Sequence, residues 1–176
     1  MKIGVPKEIL QGERRVALVP KEVKKLVDAG FEVQVEAGAG TESFFTDEAF
    51  KEAGAAVVDG AKAAYDADVV FKVRKPEVGE VDMMKEGTVF VGFLDPLTSP
   101  DLVKKLAGAK VSAFAMEMVP RISRAQKMDA LSSQANIAGY KAALIAADAL
   151  PKFLPMSMTA AGMIPPAKAR RPSPTC

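Results

Sequence analysis

VVFKV at residues 69–73 and TVFVGFL at residues 88–94 set the fold class. Both are near-continuous apolar runs of strand length, without the in-and-out alternation of a sheet that has one wet face. Such runs belong to strands covered on both faces, as in a parallel sheet flanked by helices.

On either side, the neighbouring segments alternate in the same rhythm. Lys2 to Val5 is an apolar stub closed by Pro6 and reads as a first strand. Pro20 stands at a first helical position, Val23, Leu26 and Val27 repeat at helical spacing, and Gly30 follows where a left-handed cap is wanted. FEVQVE at 31–36 alternates and runs into Gly38 and Gly40, so it reads as a strand ending in a turn. Thr46 caps a helix with Asp47 and Glu48 in its first turn, and a short strand is expected at Ala56 to Val58. Ala61 to Ala67 reads as a short helix. Ser99, Pro100 and Asp101 read as an N-cap, a first-turn proline and a first-turn acid, with Leu102, Val103 and Leu106 as the buried stripe before Gly108. Val111 to Met116 closes the series. Strands separated by helices of this length require right-handed crossovers. The expected class is therefore α/β: an open, mostly parallel, doubly wound sheet of the Rossmann or flavodoxin-like kind, followed by a long connecting helix.

Three segments are expected: an α/β lobe over 1–130, a linker helix over 131–154, and a proline-rich, irregular tail over 155–176. The polar stretch PRISRAQKMD at 120–129 has no strand or helix period and reads as a loop. Alanine-rich sequence after Ser132, with Ile137, Tyr140, Leu144 and Ala147 at spacings of three and four, reads as the helix.

Composition excludes several functions. Lys and Arg number 24 against 22 Asp and Glu, and the charges are interspersed, so nothing favours nucleic acid. The single cysteine, Cys176, allows no intrachain disulfide and no cysteine metal cluster, and a reducing compartment fits. No histidine is present, which removes imidazole metal ligands and every mechanism with histidine as proton shuttle. The longest uncharged apolar runs, Val89 to Leu94 and Ala142 to Ala147, fall far short of the ~20 residues a membrane helix needs.

A dinucleotide site in an open sheet needs a strand, a G-x-G-x-x-G turn and a helix whose first amides face the pyrophosphate. No such motif is present; Gly38 and Gly40 lack the third glycine and read as a turn. Glu13, Arg14 and Arg15 follow Gln11-Gly12, and Lys72, Arg74 and Lys75 cluster at a strand end, where open sheets place ligands. Arg15 and Arg74 are thus candidate anion or substrate-side groups, although spacing alone favours solvated charges at a sheet edge. Arg121, Arg124, Gln126, Lys127, Asp129 and Ser132 gather ahead of a helix; their groups suit a carboxamide and a ribose, and equally an exposed connector.

Several stretches carry more than these patterns do. MKIGVPKEILQGERRVALVP at 1–20, EAGAG at 36–40, KVRKP at 72–76, RISRAQKMDALSSQANIAGYKA at 121–142 and TAAGMIPPAK at 159–168 resemble the alpha subunit of proton-translocating NAD(P) transhydrogenase. The early motifs are shared with alanine dehydrogenase, so the resemblance is to the N-terminal domain of a common family.

The resemblance implies hydride transfer between NAD(H) and NADP(H) by a Si-specific/Re-specific oxidoreductase coupled to proton translocation. NADP(H) would sit on a partner component and the proton would pass through membrane-spanning subunits. A homodimer, cytoplasmic and peripheral to the membrane, is also implied. By residue match Arg121, Asp129 and Ser132 are similar to groups that hold the nicotinamide end, and Gln126 to a residue that reaches the other nucleotide, so Gln126 and Asp129 are the expected catalytic pair. Their work is positioning, since transfer between two nicotinamide rings needs alignment more than an acid or base.

An alanine dehydrogenase would instead use Arg15 and Arg74 on a substrate carboxylate, with a histidine after the FL of the fifth strand, where this chain has Asp95. In the family PPAK leads into the glycine turn of a second, NAD-binding lobe. Here ARRPSPTC follows, which predicts a truncated or frameshifted product that alone binds NAD poorly and turns over nothing. A free-standing fold or dimerisation module is the non-catalytic reading.

Overall fold

The computed structural model describes residues 1–165. The chain divides into two compact units, one over Met1–Asp129 and one from Ala130 onward.

The first unit is a six-stranded sheet in the order β3-β2-β1-β4-β5-β6. Its strands are β1 (Lys2–Val5), β2 (Glu32–Glu36), β3 (Ala56–Val58), β4 (Val69–Phe71), β5 (Val89–Gly92) and β6 (Ser112–Ala115). All five pairings are parallel, with Ile3 opposite Val33 on one side of β1 and opposite Val69 on the other. The chain fills the sheet outward from β1 to β3, then returns beside β1 and fills it outward to β6. Strand order therefore reverses between β1 and β4, the place where an open sheet leaves a crevice at its carboxyl ends.

The crossovers carry α1 (Pro20–Asp28), α2 (Asp47–Glu52), α3 (Ala61–Tyr65), α4 (Val78–Val81) and α5 (Pro100–Gly108). Pro20 opens α1 and the Thr46 hydroxyl accepts the Ala49 N–H at 3.3 Å to cap α2, as their sequences predict. Two apolar clusters fill the unit. Ile3, Val5, Val23, Val33, Val35 and Phe50 pack around β1 and β2; Tyr65, Val70, Val81, Phe90, Leu94 and Leu106 pack around β4 and β5. Phe50 and Phe90 have no exposed surface, and burying each is worth about 2–3 kcal/mol.

Three details differ from expectation. Ser99 occupies the N-cap position of α5, but its hydroxyl caps nothing: it accepts from Lys75 Nζ at 2.6 Å. Val103, expected in the buried stripe of α5, is 41% exposed, and beyond that helix Lys110 adopts a left-handed φ of 55. The stretch read as a plain loop, 120–129, contains a 3-10 turn, Ser123–Met128, whose three-residue repeat leaves no period of 3.6 to detect.

The second unit begins with α6 (Ala130–Ala149), 20 residues of which none is buried. The tail expected to be irregular instead holds an antiparallel hairpin, β7 (Ser157–Thr159) with β8 (Gly162–Ile164). Gly162, at φ 122, follows the turn and permits a pairing too short to leave an alternating signature. The ARRPSPTC stretch, read as the mark of truncation, lies outside the described residues. No helix among the described residues is long and apolar enough to cross a membrane.

Candidate functional site

Two groups of predicted residues lie at or beyond the carboxyl ends of the strands. The first surrounds the β1–β4 crevice. Glu8 leaves the end of β1, and its Oε1 accepts the N–H of Val73 at 2.6 Å and of Arg74 at 3.3 Å beyond β4. Lys72, expected to be solvated at a sheet edge, is neither: β4 is central, and the Lys72 side chain is 1% exposed. Its ammonium lies 3.4 Å from Glu8 Oε2 and 3.2 Å from Glu80 Oε2. Tyr65 donates its hydroxyl to Glu80 Oε1 at 2.7 Å, and the Glu77 N–H donates to Glu80 Oε2 at 2.7 Å. Burial pushes the Tyr65 phenol well above its usual range, and the bond to Glu80 adds to this. Burial also raises the Glu8 carboxyl, against the opposing pull of Lys72.

The predicted anion residues Arg15 and Arg74 are brought together, but by an internal carboxylate. Glu13, its side chain 4% exposed, takes Arg15 through Nε at 2.7 Å and Nη2 at 2.6 Å, and Arg74 through Nε at 2.8 Å. The Arg15 hydrogen bonds hold the Glu13 carboxyl far below the usual carboxylate range, at about 2. These guanidinium groups are therefore pinned on a buried acid rather than simply solvated.

Beside this cluster a cleft of about 530 Å³ is lined by Ile9, Leu10, Arg74, Lys75, Phe93 and Leu102 among others. Asp95 lines it too, in the left-handed region at φ 52. The Leu94 and Asp95 N–H groups both donate to Glu117 Oε1, and the Thr98 hydroxyl donates to the Asp95 carboxylate, which lies 3.9 Å from Lys75 Nζ. At this strand end the Asp95 carboxylate is thus already engaged with a hydroxyl and an ammonium.

Sequence reading missed Glu8, Glu80, Tyr65 and Glu117. Glu8 meets Val73 across 65 positions and Tyr65 meets Glu80 across 15, separations that no local pattern encodes. Only the capping box between Glu77 and Glu80, directly after Pro76, carries a local signal.

The glycines of EAGAG serve the fold. Gly38 sits at φ 72 and donates its N–H to Asp47 Oδ1 at 2.9 Å, and a Cβ at Gly40 would stand 2.5 Å from Phe50 Cε2. This bears out the turn reading at Gly38, whereas Gly40 is required by close packing.

The second group follows β6. Arg121 and Gln126 are exposed and Asp129 is half-buried, while Ala125, 5% exposed, anchors the 3-10 turn that presents Gln126. The Asp129 N–H closes the turn on the Gln126 carbonyl at 3.3 Å. Ser132, also exposed, belongs to the second unit. Within the first unit, the stretch from Arg121 to Asp129 thus carries a guanidinium, an amide and a carboxylate, all hydrogen-bonding groups. Among the described residues no cluster of His, Cys, Asp and Glu could hold a metal ion.

The parallel sheet with its crevice at the β1–β4 reversal defines a Rossmann-like α/β protein. Residues 4–138 match the family described as alanine dehydrogenase/PNT, N-terminal domain, and the chain belongs to that family. It is 48% identical to NAD(P) transhydrogenase subunit alpha of Haemophilus influenzae, over 96% of this chain and 33% of that one. A solved transhydrogenase structure from Sinorhizobium meliloti superposes with a TM-score of 0.90 at 46% identity, over 95% of this chain and 50% of that one. Alanine dehydrogenase 2 of Staphylococcus aureus is more distant, 39% identical over 87% of this chain and 41% of that one. The chain thus spans half or less of the length of these relatives.

Proposed function

We propose that this chain is the N-terminal part of the NAD(H)-handling component of a proton-translocating NAD(P) transhydrogenase. In this reading Arg121, Asp129 and Ser132 hold the nicotinamide end, and Gln126 lies between it and a second nucleotide, NADP(H), carried by a partner component. The observation that carries the proposal is the Ser123–Met128 turn, pinned by buried Ala125 and offering exposed Gln126 on the same stretch of chain as Arg121 and Asp129. Higher identity to a transhydrogenase alpha subunit than to an alanine dehydrogenase supports the same choice.

When bound, the nicotinamide supplies the carbon that gives or accepts hydride. This chain's residues orient and shield: a guanidinium and a carboxylate fix a carboxamide by complementary hydrogen bonds, and a hydroxyl does the same for ribose. The chain's own groups move no proton in this step, which is consistent with the absence of histidine. Pyrophosphate would be gripped elsewhere, because no glycine turn of the dinucleotide kind follows any strand of this sequence. The assembled protein would be a homodimer on the cytoplasmic side of the membrane, peripheral to membrane-spanning subunits that pass the proton.

NADH titration tests this. The chain alone should bind at millimolar strength without turnover, and R121A, Q126A and D129N should each weaken binding while leaving the fold intact. No NADH effect on thermal stability at saturating concentrations would favour the non-catalytic reading. Micromolar affinity would contradict the division of the grip.

A further inference from the structure

The sheet ends on one side at β6, whose outer edge meets no strand among the described residues. The Ser112 N–H donates to the Thr88 carbonyl at 2.9 Å, so Ser112 and Phe114 turn their backbone groups toward β5. Ala113 and Ala115 therefore point their N–H and C=O groups outward, since alternate residues of a strand serve opposite neighbours. The other edge differs. There the Ala37 N–H donates to the Val58 carbonyl at 2.9 Å, which turns Ala56 and Val58 inward and leaves Val57 alone facing out.

Soluble proteins blunt the edges of their sheets with lysine, proline or a bulge. The sequence of β6, SAFA, pairs with β5 in unbroken register and has none of these, and Ser112, Ala113 and Phe114 are all exposed. Phe114, at 60% exposure, ends a row of apolar side chains that runs in register from Phe71 through Val91. The row stops at an open edge. Lys110 precedes the strand and Glu117 follows it, so its two ends carry opposite charges.

We propose that β6 of one copy of this chain pairs antiparallel with β6 of a second copy about a twofold axis through Phe114. Of the registers that strand parity allows, this one engages both outward residues of each copy. Ala113 stands opposite Ala115 of the other copy, and each such pair exchanges both backbone hydrogen bonds. Phe114 stands opposite itself as a non-hydrogen-bonded pair, with Cα atoms about 4.5 Å apart and both rings on one face. The apolar row thus continues into the second sheet, and each Lys110 end lies beside a Glu117 end. The strand is complementary to its own inverted image, which is what a twofold contact requires. This gives a surface to the homodimer of the proposed function but rests on the edge alone, so nicotinamide binding at 121–132 and this pairing fail or succeed separately.

Disulfide trapping in the full chain carrying C176S tests the pairing. F114C should cross-link to a dimer in a glutathione redox buffer, because a Cα separation of about 4.5 Å is within disulfide reach. S112C lies on the same face but would stand opposite position 116 of the second copy, on the order of 14 Å from its own counterpart, and should stay monomeric. Adding A113P to F114C removes an outward N–H from an edge strand, where proline is tolerated, and should cut cross-linking at least tenfold. Adding I137E/L144E should leave the cross-link unchanged, which separates this contact from association through α6. Should A113P not fold by circular dichroism, F114C against S112C decides alone. Absence of cross-linking in F114C, equal cross-linking in S112C, an undiminished cross-link in folded A113P, or its loss in I137E/L144E would each overturn the proposal.

Discussion

Glu13 and Arg74, 61 positions apart, meet at 2.8 Å, and the same carboxylate grips Arg15 at 2.6 Å. One buried acid thereby ties the loop after β1 to the exit of β4. Its carboxyl lies at about 2 in the folded chain against 4.5 free, so folding favours its ionised form. The stabilisation is complete above pH 4.5 and is lost as pH falls through about 2. Wild type should exceed E13Q in stability by about 1–2 kcal/mol at pH 7, because water at the half-exposed guanidinium groups screens the pairs, with the gap closing toward pH 2, as read from urea unfolding at stepped pH. A gap independent of pH would show that the ion pairs are not its source.

Lys72 is the cation shared by two buried carboxylates, at 3.4 Å from Glu8 and 3.2 Å from Glu80, so removing it deprives both. K72M should cost about 3–5 kcal/mol at neutral pH by chemical unfolding. Acidification should restore part of that loss, since protonating Glu8 removes one stranded charge.

A methyl group at position 40 would enter the space of Phe50 Cε2 at 2.5 Å and of the Phe45 carbonyl at 2.9 Å. G40A should lower stability by about 1–3 kcal/mol through forced repacking. Thermal unfolding checks this, and an unchanged midpoint would mean that the Phe45–Phe50 pair yields freely.

Along α6, Ile137, Tyr140, Leu144 and Ile145 are 60%, 69%, 47% and 58% exposed. Apolar side chains left in water at this density drive association. Light scattering coupled to size exclusion should find species larger than a monomer, and I137E/L144E should shift the population toward monomer.

The sheet was legible because Val69 to Val73 and Thr88 to Leu94 are apolar on both faces, a property set locally by burial from two sides. The helix ends at Pro20 and Thr46 were legible for the same reason: each rests on a residue and its nearest neighbours. Ser99 was misread because a distant partner, Lys75, takes its hydroxyl away from the helix. The cluster of Glu8, Lys72, Glu80 and Tyr65 was hidden, since an acid 65 positions from the amide it holds leaves no spacing to detect. The 3-10 turn under Gln126 was hidden in another way, its repeat matching neither strand nor helix.

Whether the stretch from Arg121 to Ser132 receives a nicotinamide is decided by amide NMR of the chain titrated with nicotinamide mononucleotide, which lacks the adenosine half. We expect saturable shifts confined to residues 121–132, with a dissociation constant on the order of 1 mM, weakened in Q126A and D129N. Saturable shifts confined to the cleft around Arg74 and Lys75, or none at any residue, would contradict it.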